Sequence, residues 1–156
     1  MADKIATVAQ LEEQLKKLRR RQKRNQRAAW ADGFLTGICG MLRPGDLAID
    51  FGANAGEVSA RLLASGADVI AFDPEPWAHD QLTRRFAGES RFTLQPAAVG
   101  TAEGAVRLMR AGNFDGNAAQ ASVKSTVVAG GRQIDESAEN AIEVAQIDFI
   151  AFLKID

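Results

Sequence analysis

The chain has 156 residues, 46% of them hydrophobic and 25% charged, with a formal net charge of -1. That length suits one domain with a real core, and the composition is that of an ordinary soluble globular protein. The single cysteine, Cys39, excludes an internal disulfide and a cysteine-based zinc site, and no apolar run approaches the roughly 20 residues that span a bilayer. One histidine and no tyrosine leave few groups that titrate near neutral pH. The N-terminus lacks a charged-then-apolar signal pattern, so a cytoplasmic setting is the default.

The small net charge hides a split. Residues 1–32 carry nine Lys/Arg against four Asp/Glu, and the remainder ten against sixteen, so a basic segment of +5 precedes an acidic one of -6. Residues 1–30 read as a basic helical extension and 31–156 as the domain. Val8, Leu11, Leu15 and Leu18 alternate three and four apart, the a/d seam of a short coiled coil. Glu12 and Glu13 precede Lys16 and Lys17 at the supportive four-residue spacing. Beyond Leu18 the seam stops: Arg19 to Arg27 has no apolar face, and Lys16–Arg20, Arg20–Arg24 and Lys23–Arg27 are like-charge pairs. The functional readings are oligomerisation through the seam and nucleic-acid or anion contact through residues 16–27. A solvated helix beside the domain is the simpler reading and is preferred.

Ala28 to Leu42 reads as a helix with Trp30, Phe34, Leu35, Ile38 and Met41-Leu42 as its apolar stripe. Arg43-Pro44-Gly45-Asp46 is a turn. Leu47 to Phe51 lacks the alternation of a one-sided strand and is expected to be a buried parallel strand. Gly52 and Gly56 allow a sharp turn and close approach by another molecule. From Glu57, Val58, Leu62 and Leu63 recur at helical spacing, so a helix N-terminus faces whatever sits above the strand ends. This is a nucleotide-type site in an open α/β sheet.

Asp50 decides which nucleotide. Gly52, Asn54 and Gly56 depart from a dinucleotide G-x-G-x-x-G turn, and a carboxylate there would repel a pyrophosphate. It suits an ammonium and a positive sulfur, which points to S-adenosylmethionine. A second strand, Asp68 to Phe72, ends in Asp73 at the spacing where an acid can accept both hydroxyls of a ribose.

These stretches resemble a known family. Ile49-Asp50-Phe51-Gly52-Ala53-Asn54-Ala55-Gly56-Glu57 looks like the first motif, D-x-G-A-N-x-G-E, of FkbM-type S-adenosylmethionine-dependent methyltransferases. Ala71-Phe72-Asp73-Pro74-Glu75-Pro76 is similar to their second motif, with Asp73 where glutamate is more usual. Gln95-Pro96-Ala97-Ala98-Val99-Gly100 resembles their third strand, and Gly116-Asn117 followed by Ser122 is a weaker match to a later loop. The resemblance runs from about Leu42 to Ile147. It implies a Rossmann-like class I fold, here a partial parallel sheet, that methylates hydroxyls of sugars or other small molecules. It also implies cofactor contacts from Asp50, Gly52, Ala53, Asn54, Gly56 and Glu57 of the first motif and from Asp73.

Further along, Pro74-Glu75-Pro76-Trp77 opens a helix whose stripe is Trp77, Leu82 and Phe86. Trp77 is a core aromatic rather than an adenine contact, and His79 has no partners that suggest catalysis. Arg91 to Leu94 is the third strand, which Ala97-Ala98-Val99 continues past a proline. Ala98 is the candidate beside the adenine. Ala105 to Met109 and Val123 to Val128 are expected to pair in a hairpin-like excursion, with 111–117 a loop at the pocket mouth. Residues 130–140 read as a loop, and Ile142 to Ile147 as a strand. Leu153-Lys154-Ile155-Asp156 spells the start of the family's L-K-I-D-V-E-G strand. A second register, preferred, makes Asp148 the N-cap of a helix through Phe149, Ile150, Phe152 and Leu153.

Either register leaves out the half of the family's sheet that carries the substrate pocket. The first strand then has an open edge, to be covered by another copy, by the N-terminal helix or by a different subunit. The chain is expected to be truncated, a remnant or an obligate oligomer. No catalytic base and no metal site are assigned. Two functions follow: an S-adenosylmethionine-binding methyltransferase domain, or a non-enzymatic assembly protein that keeps half such a domain as scaffold and works through residues 1–30.

Overall fold

The computed structural model describes residues 7–110, 114, 116, 118–122, 125–127 and 141–153. The chain divides into two units, residues 1–41 and 42–156. The first is α1, Val8–Met41, a helix of 34 residues with none buried. Its two expected helical segments are one element. Apart from Asn25, the basic stretch between them consists of straight-chain residues of good helix propensity, with no glycine or proline to stop it. Thr7 and Gln10 form a reciprocal capping box: Thr7 N–H donates to Gln10 Oε1 at 2.8 Å, and Gln10 N–H to Thr7 Oγ1 at 3.3 Å.

The second unit is α/β. β1 (Leu47–Phe51), β2 (Asp68–Phe72) and β3 (Phe92–Gln95) form a parallel sheet in that order. Parallel neighbours need crossovers, supplied by α2 (Glu57–Ala64) and α3 (Pro76–Arg85). β2 reads as a continuous apolar run because it is central: Val69, Ala71 and Phe72 are almost wholly buried. α2 buries Ser59, Leu62 and Leu63, whereas Val58, expected on that stripe, is 39% exposed. On α3, Ala78 and Leu82 are buried and Trp77 is half-buried. Leu82 packs with Ala53 and Ala71, and Phe86, Phe92 and Leu94 surround them.

β4 (Ala98–Gly100), β5 (Gly104–Met109) and β6 (Ala141–Asp148) form a second, mixed sheet in the order β4-β6-β5. Two expectations change here. Ala97 to Val99 does not continue the third strand: Pro96 cannot donate, Ala97 N–H turns back to Gln95 O at 2.8 Å, and the chain leaves the first sheet. β5 does not have residues 123–128 as its main partner either. It pairs antiparallel with β6 over six residue pairs, Gly104↔Gln146 to Met109↔Ala141, and among the described residues it meets the other segment in a single antiparallel bridge, Met109↔Thr126. Packing accompanies this pairing: Leu108 and Val144 bury together against Ala98, and Val106 and Ile142 pack on them. Residues 123, 124 and 128, and the loop expected at 130–140, lie outside the described residues.

α4 (Ala118–Ala121) is short, and Ala121 packs on Phe114 with Trp77 and Ala118 against them. α5 (Phe149–Leu153) follows β6 directly. Asp148 caps it as the preferred register expected, Oδ1 accepting from Ile150 N–H at 2.9 Å and Ala151 N–H at 3.1 Å. Residues 154–156, which would carry the other register, lie outside the described residues.

β1 is not the buried strand its composition suggested. Its neighbour among the described residues is β2 alone, so Leu47 is 58% and Phe51 51% exposed. α5 covers part of this flank. Phe149 meets the Phe51 ring edge-on at 4.8 Å between centroids, and Phe152 meets Phe72 at 5.3 Å.

Candidate functional site

The site is built where the parallel strands end. After Phe51 the chain turns through Gly52 (φ 77°), Asn54 (φ 49°) and Gly56 (φ 80°), three left-handed residues in five. Gly52 N–H and Ala53 N–H both donate to Phe72 O, at 2.8 and 3.2 Å, which stitches the turn to β2. The glycines do different jobs. At Gly56 a Cβ would lie 2.6 Å from a Phe86 ring carbon and 2.9 Å from a Leu82 methyl, so its bareness serves the packing of α2 on α3. At Gly52 a Cβ would meet nothing within 4 Å, so its face is open.

Asp50 sits below the turn, 7% exposed, and its Oδ2 accepts from Ser59 Oγ at 2.6 Å. Ser59 lies in the first turn of α2, whose N-terminal dipole also favours the carboxylate. Ala53 is buried in the core of the first sheet. Glu57 is fully exposed and pairs with Arg85 Nη1 at 2.6 Å; that guanidinium, which also donates to Ala55 O at 2.7 Å, holds the Glu57 carboxyl below its ordinary range.

Asp73, 5% exposed at the end of β2, ties the two motifs together. Its Oδ2 accepts from Asn54 N–H at 2.8 Å and its Oδ1 from Glu75 N–H at 2.9 Å. Burial pushes its carboxyl above the ordinary value; the hydrogen bonds from Glu75 and Asn54 and the nearby His79 oppose that rise without cancelling it. His79 Nε2–H donates to Asp73 O at 2.7 Å, so the histidine braces the loop between β2 and α3. Asn54 Oδ1 in turn accepts from Ser122 Oγ at 2.9 Å, which joins the first motif to the later serine.

A cleft of about 320 Å³ opens beside this cluster, lined by Phe51, Gly52, Phe72, Pro74, Ala98 and residues of the second sheet's side, Leu108 and Ser125 among them. Of the expected cofactor residues, Gly52 and Ala98 line it. Asp73 lies between two lining residues, Phe72 and Pro74, with its carboxylate turned toward the motif turn. Asp50, Ala53, Asn54, Gly56 and Glu57 are not among the residues that line it.

Two features escaped the sequence reading. Glu75, 3% exposed, holds Arg110 through a two-pronged contact, Arg110 Nε to Glu75 Oε2 at 2.9 Å and Nη2 to Oε1, and the guanidinium lies over the Phe114 ring at 4.4 Å. This pair clamps the start of α3 to the end of β5. Ser125 Oγ, on the cleft wall, is buried with no hydrogen-bond partner among the described residues. The spacing of Pro74-Glu75-Pro76 was a signal for the first, since a carboxylate between two prolines at a helix start has few local partners. Nothing in the sequence marked the second.

No protein-family model matches the chain, and no curated protein matches it. The site's chemistry therefore rests on its residues.

Proposed function

We propose that residues 42–153 are the cofactor-binding part of a class I, FkbM-type methyltransferase domain that takes S-adenosylmethionine, with a hydroxyl of a sugar or other small molecule as acceptor. The observation that carries this reading is Asp73. It is a buried carboxylate at the end of the second parallel strand, cross-linked to the left-handed motif turn and flanked by the walls of a cleft. Each of its oxygens accepts one backbone N–H and keeps acceptor capacity for a ribose hydroxyl. The residues fit the cofactor in other respects. The cleft is at the lower end of ligand-pocket volumes, roughly 300–1,000 Å³. Gly52 presents an open face there, Ala98 is small enough for a flat ring, and the Ser125 hydroxyl lacks a partner among the described residues.

When bound, S-adenosylmethionine supplies an electrophilic methyl on a sulfonium. The chain's contribution is orientation. Asp73 takes the ribose, Gly52 lets the ligand approach the backbone, and Ala98 leaves room for the base. Asp50, held by Ser59, places a negative charge beneath the turn that favours a cationic ligand. Titration calorimetry with S-adenosylmethionine and with S-adenosylhomocysteine tests this. Micromolar binding that Asp73→Asn weakens at least tenfold, with a cooperative melt retained above the assay temperature, supports it; no heat with either ligand removes it.

A second reading rests on α1, where Val8, Leu11, Leu15 and Leu18 are 73, 53, 47 and 60% exposed. That seam favours the assembly role, in which the α/β unit is a scaffold.

A further inference from the structure

Because α1 is a single helix from Val8 to Met41, the angular phase of every residue along it is defined. At about 100° per residue, Lys16, Arg20, Lys23, Arg27, Trp30 and Phe34 succeed one another at spacings of four, three, four, three and four. They fall within a sector of roughly 80° and form a line about 27 Å long. Four cations thus run directly into two aromatic rings. Trp30 is 74% and Phe34 60% exposed, and the rings stack on each other, centroids 5.7 Å apart and planes within 8°. Residues 16–27 hold eight Lys/Arg and no Asp/Glu. The Lys17–Glu13 ion pair of this helix, at 2.8 Å, lies off this line.

We infer that this face of α1 binds single-stranded nucleic acid, the cations following consecutive phosphates and the Trp30–Phe34 pair offering a flat surface on which a base stacks. Cations alone would suit any polyanion. Adjoining, parallel, exposed aromatics add a partner for what a single strand has and a duplex hides, the face of an unpaired base. An anionic membrane fits less well. A helix lying in a bilayer surface carries its cations on the flanks of an apolar sector, whereas here four cations occupy the same sector as the aromatics. The leucine seam lies about a third of a turn away, so the line stays exposed whether or not the seam is occupied.

Fluorescence anisotropy of the full chain with labelled oligothymidylate and oligouridylate of twenty nucleotides tests this, beside a duplex of equal length and phosphatidylserine-containing vesicles. Expected are tighter binding to the single strands than to the duplex, quenching of Trp30 emission, and a slope of log K on log salt of about -3 for four phosphate contacts. Replacing both rings (Trp30→Ala with Phe34→Ala) should weaken single-strand binding roughly ten- to hundredfold while barely moving the duplex. Lys23→Ala with Arg27→Ala should lower the salt slope by about 1.4. Circular dichroism of each variant at 222 nm confirms that the helix is retained. Equal affinity for duplex and single strand, a ring variant that binds like the parent, or tighter binding to vesicles than to the oligonucleotides overturns the inference.

Discussion

Burial raises the Asp73 carboxyl above its ordinary value because the ionised form loses water that two backbone N–H groups only partly replace. Two opposite pH dependences follow. A ribose needs the ionised acceptor, so cofactor affinity should fall as the pH drops through the raised value, a window starting above that of an exposed aspartate. The fold responds the other way. With the folded-state pKa above the unfolded one, this group's stabilising contribution is fully present below the unfolded value and is lost as pH rises through the folded value. Calorimetric affinity between pH 4 and 8, beside melting temperatures over the same range, should therefore show acid weakening binding without Asp73 weakening the fold, and Asp73→Asn should flatten the binding step. Gly56 makes a different demand. Gly56→Ala puts a methyl into Phe86 and Leu82 and asks an L-residue to hold φ 80°. Together these should cost about 2–4 kcal/mol in urea unfolding, whereas Gly52→Ala, strained but open, should cost about half that and lose ligand instead.

Between elements, the clamp of Glu75 on Arg110 joins parts 35 residues apart, one leading α3 and the other ending β5. Arg110→Ala leaves a buried carboxylate without its cation and should destabilise the α/β unit by about 3–5 kcal/mol; adding Glu75→Gln to that variant should restore part of the loss, as a double-mutant cycle in urea will show. The Asp148 cap is more local. Asp148→Ala should cost about 1 kcal/mol, seen chiefly as faster hydrogen exchange at Ile150 and Ala151, the two amides it now holds. The contrast tracks what was legible. β1, β2, α2, α3 and the Asp148 cap follow from local periodicity, turn residues and a capping side chain, all of which act within a few residues. The pairing of β4 and β5 with β6 and the clamp arise from contacts between distant segments. A single alternating pattern does not say which strand it will pair with. In the site, Asp73 and Asn54 were legible as motif residues, but their direct hydrogen bond and the Ser122 link were not.

At the scale of the whole molecule, the α/β unit has its own cores while α1 has no buried residue. A helix that buries none of its residues rests largely on propensity, its Thr7 cap and local pairs such as Glu13–Lys17, and like-charge pairs at Lys16–Arg20, Arg20–Arg24 and Lys23–Arg27 each oppose it by a few tenths of a kcal/mol. Burying the four seam residues against a second copy would offset this, each contributing about 1.5–3 kcal/mol if fully covered. An antiparallel arrangement sets Val8 against Leu18 and Leu11 against Leu15 of the other copy, and it carries the two basic stretches to opposite ends, whereas a parallel one lays them side by side. The expected outcome is a helix signal at 222 nm that melts before the α/β unit and at a temperature that rises with protein concentration. Raising salt should strengthen it by screening the arginines. Leu15→Lys, central in the seam, should abolish the concentration dependence and leave the second transition where it was. A single transition insensitive to concentration in the parent chain would show that α1 draws its stability from elsewhere.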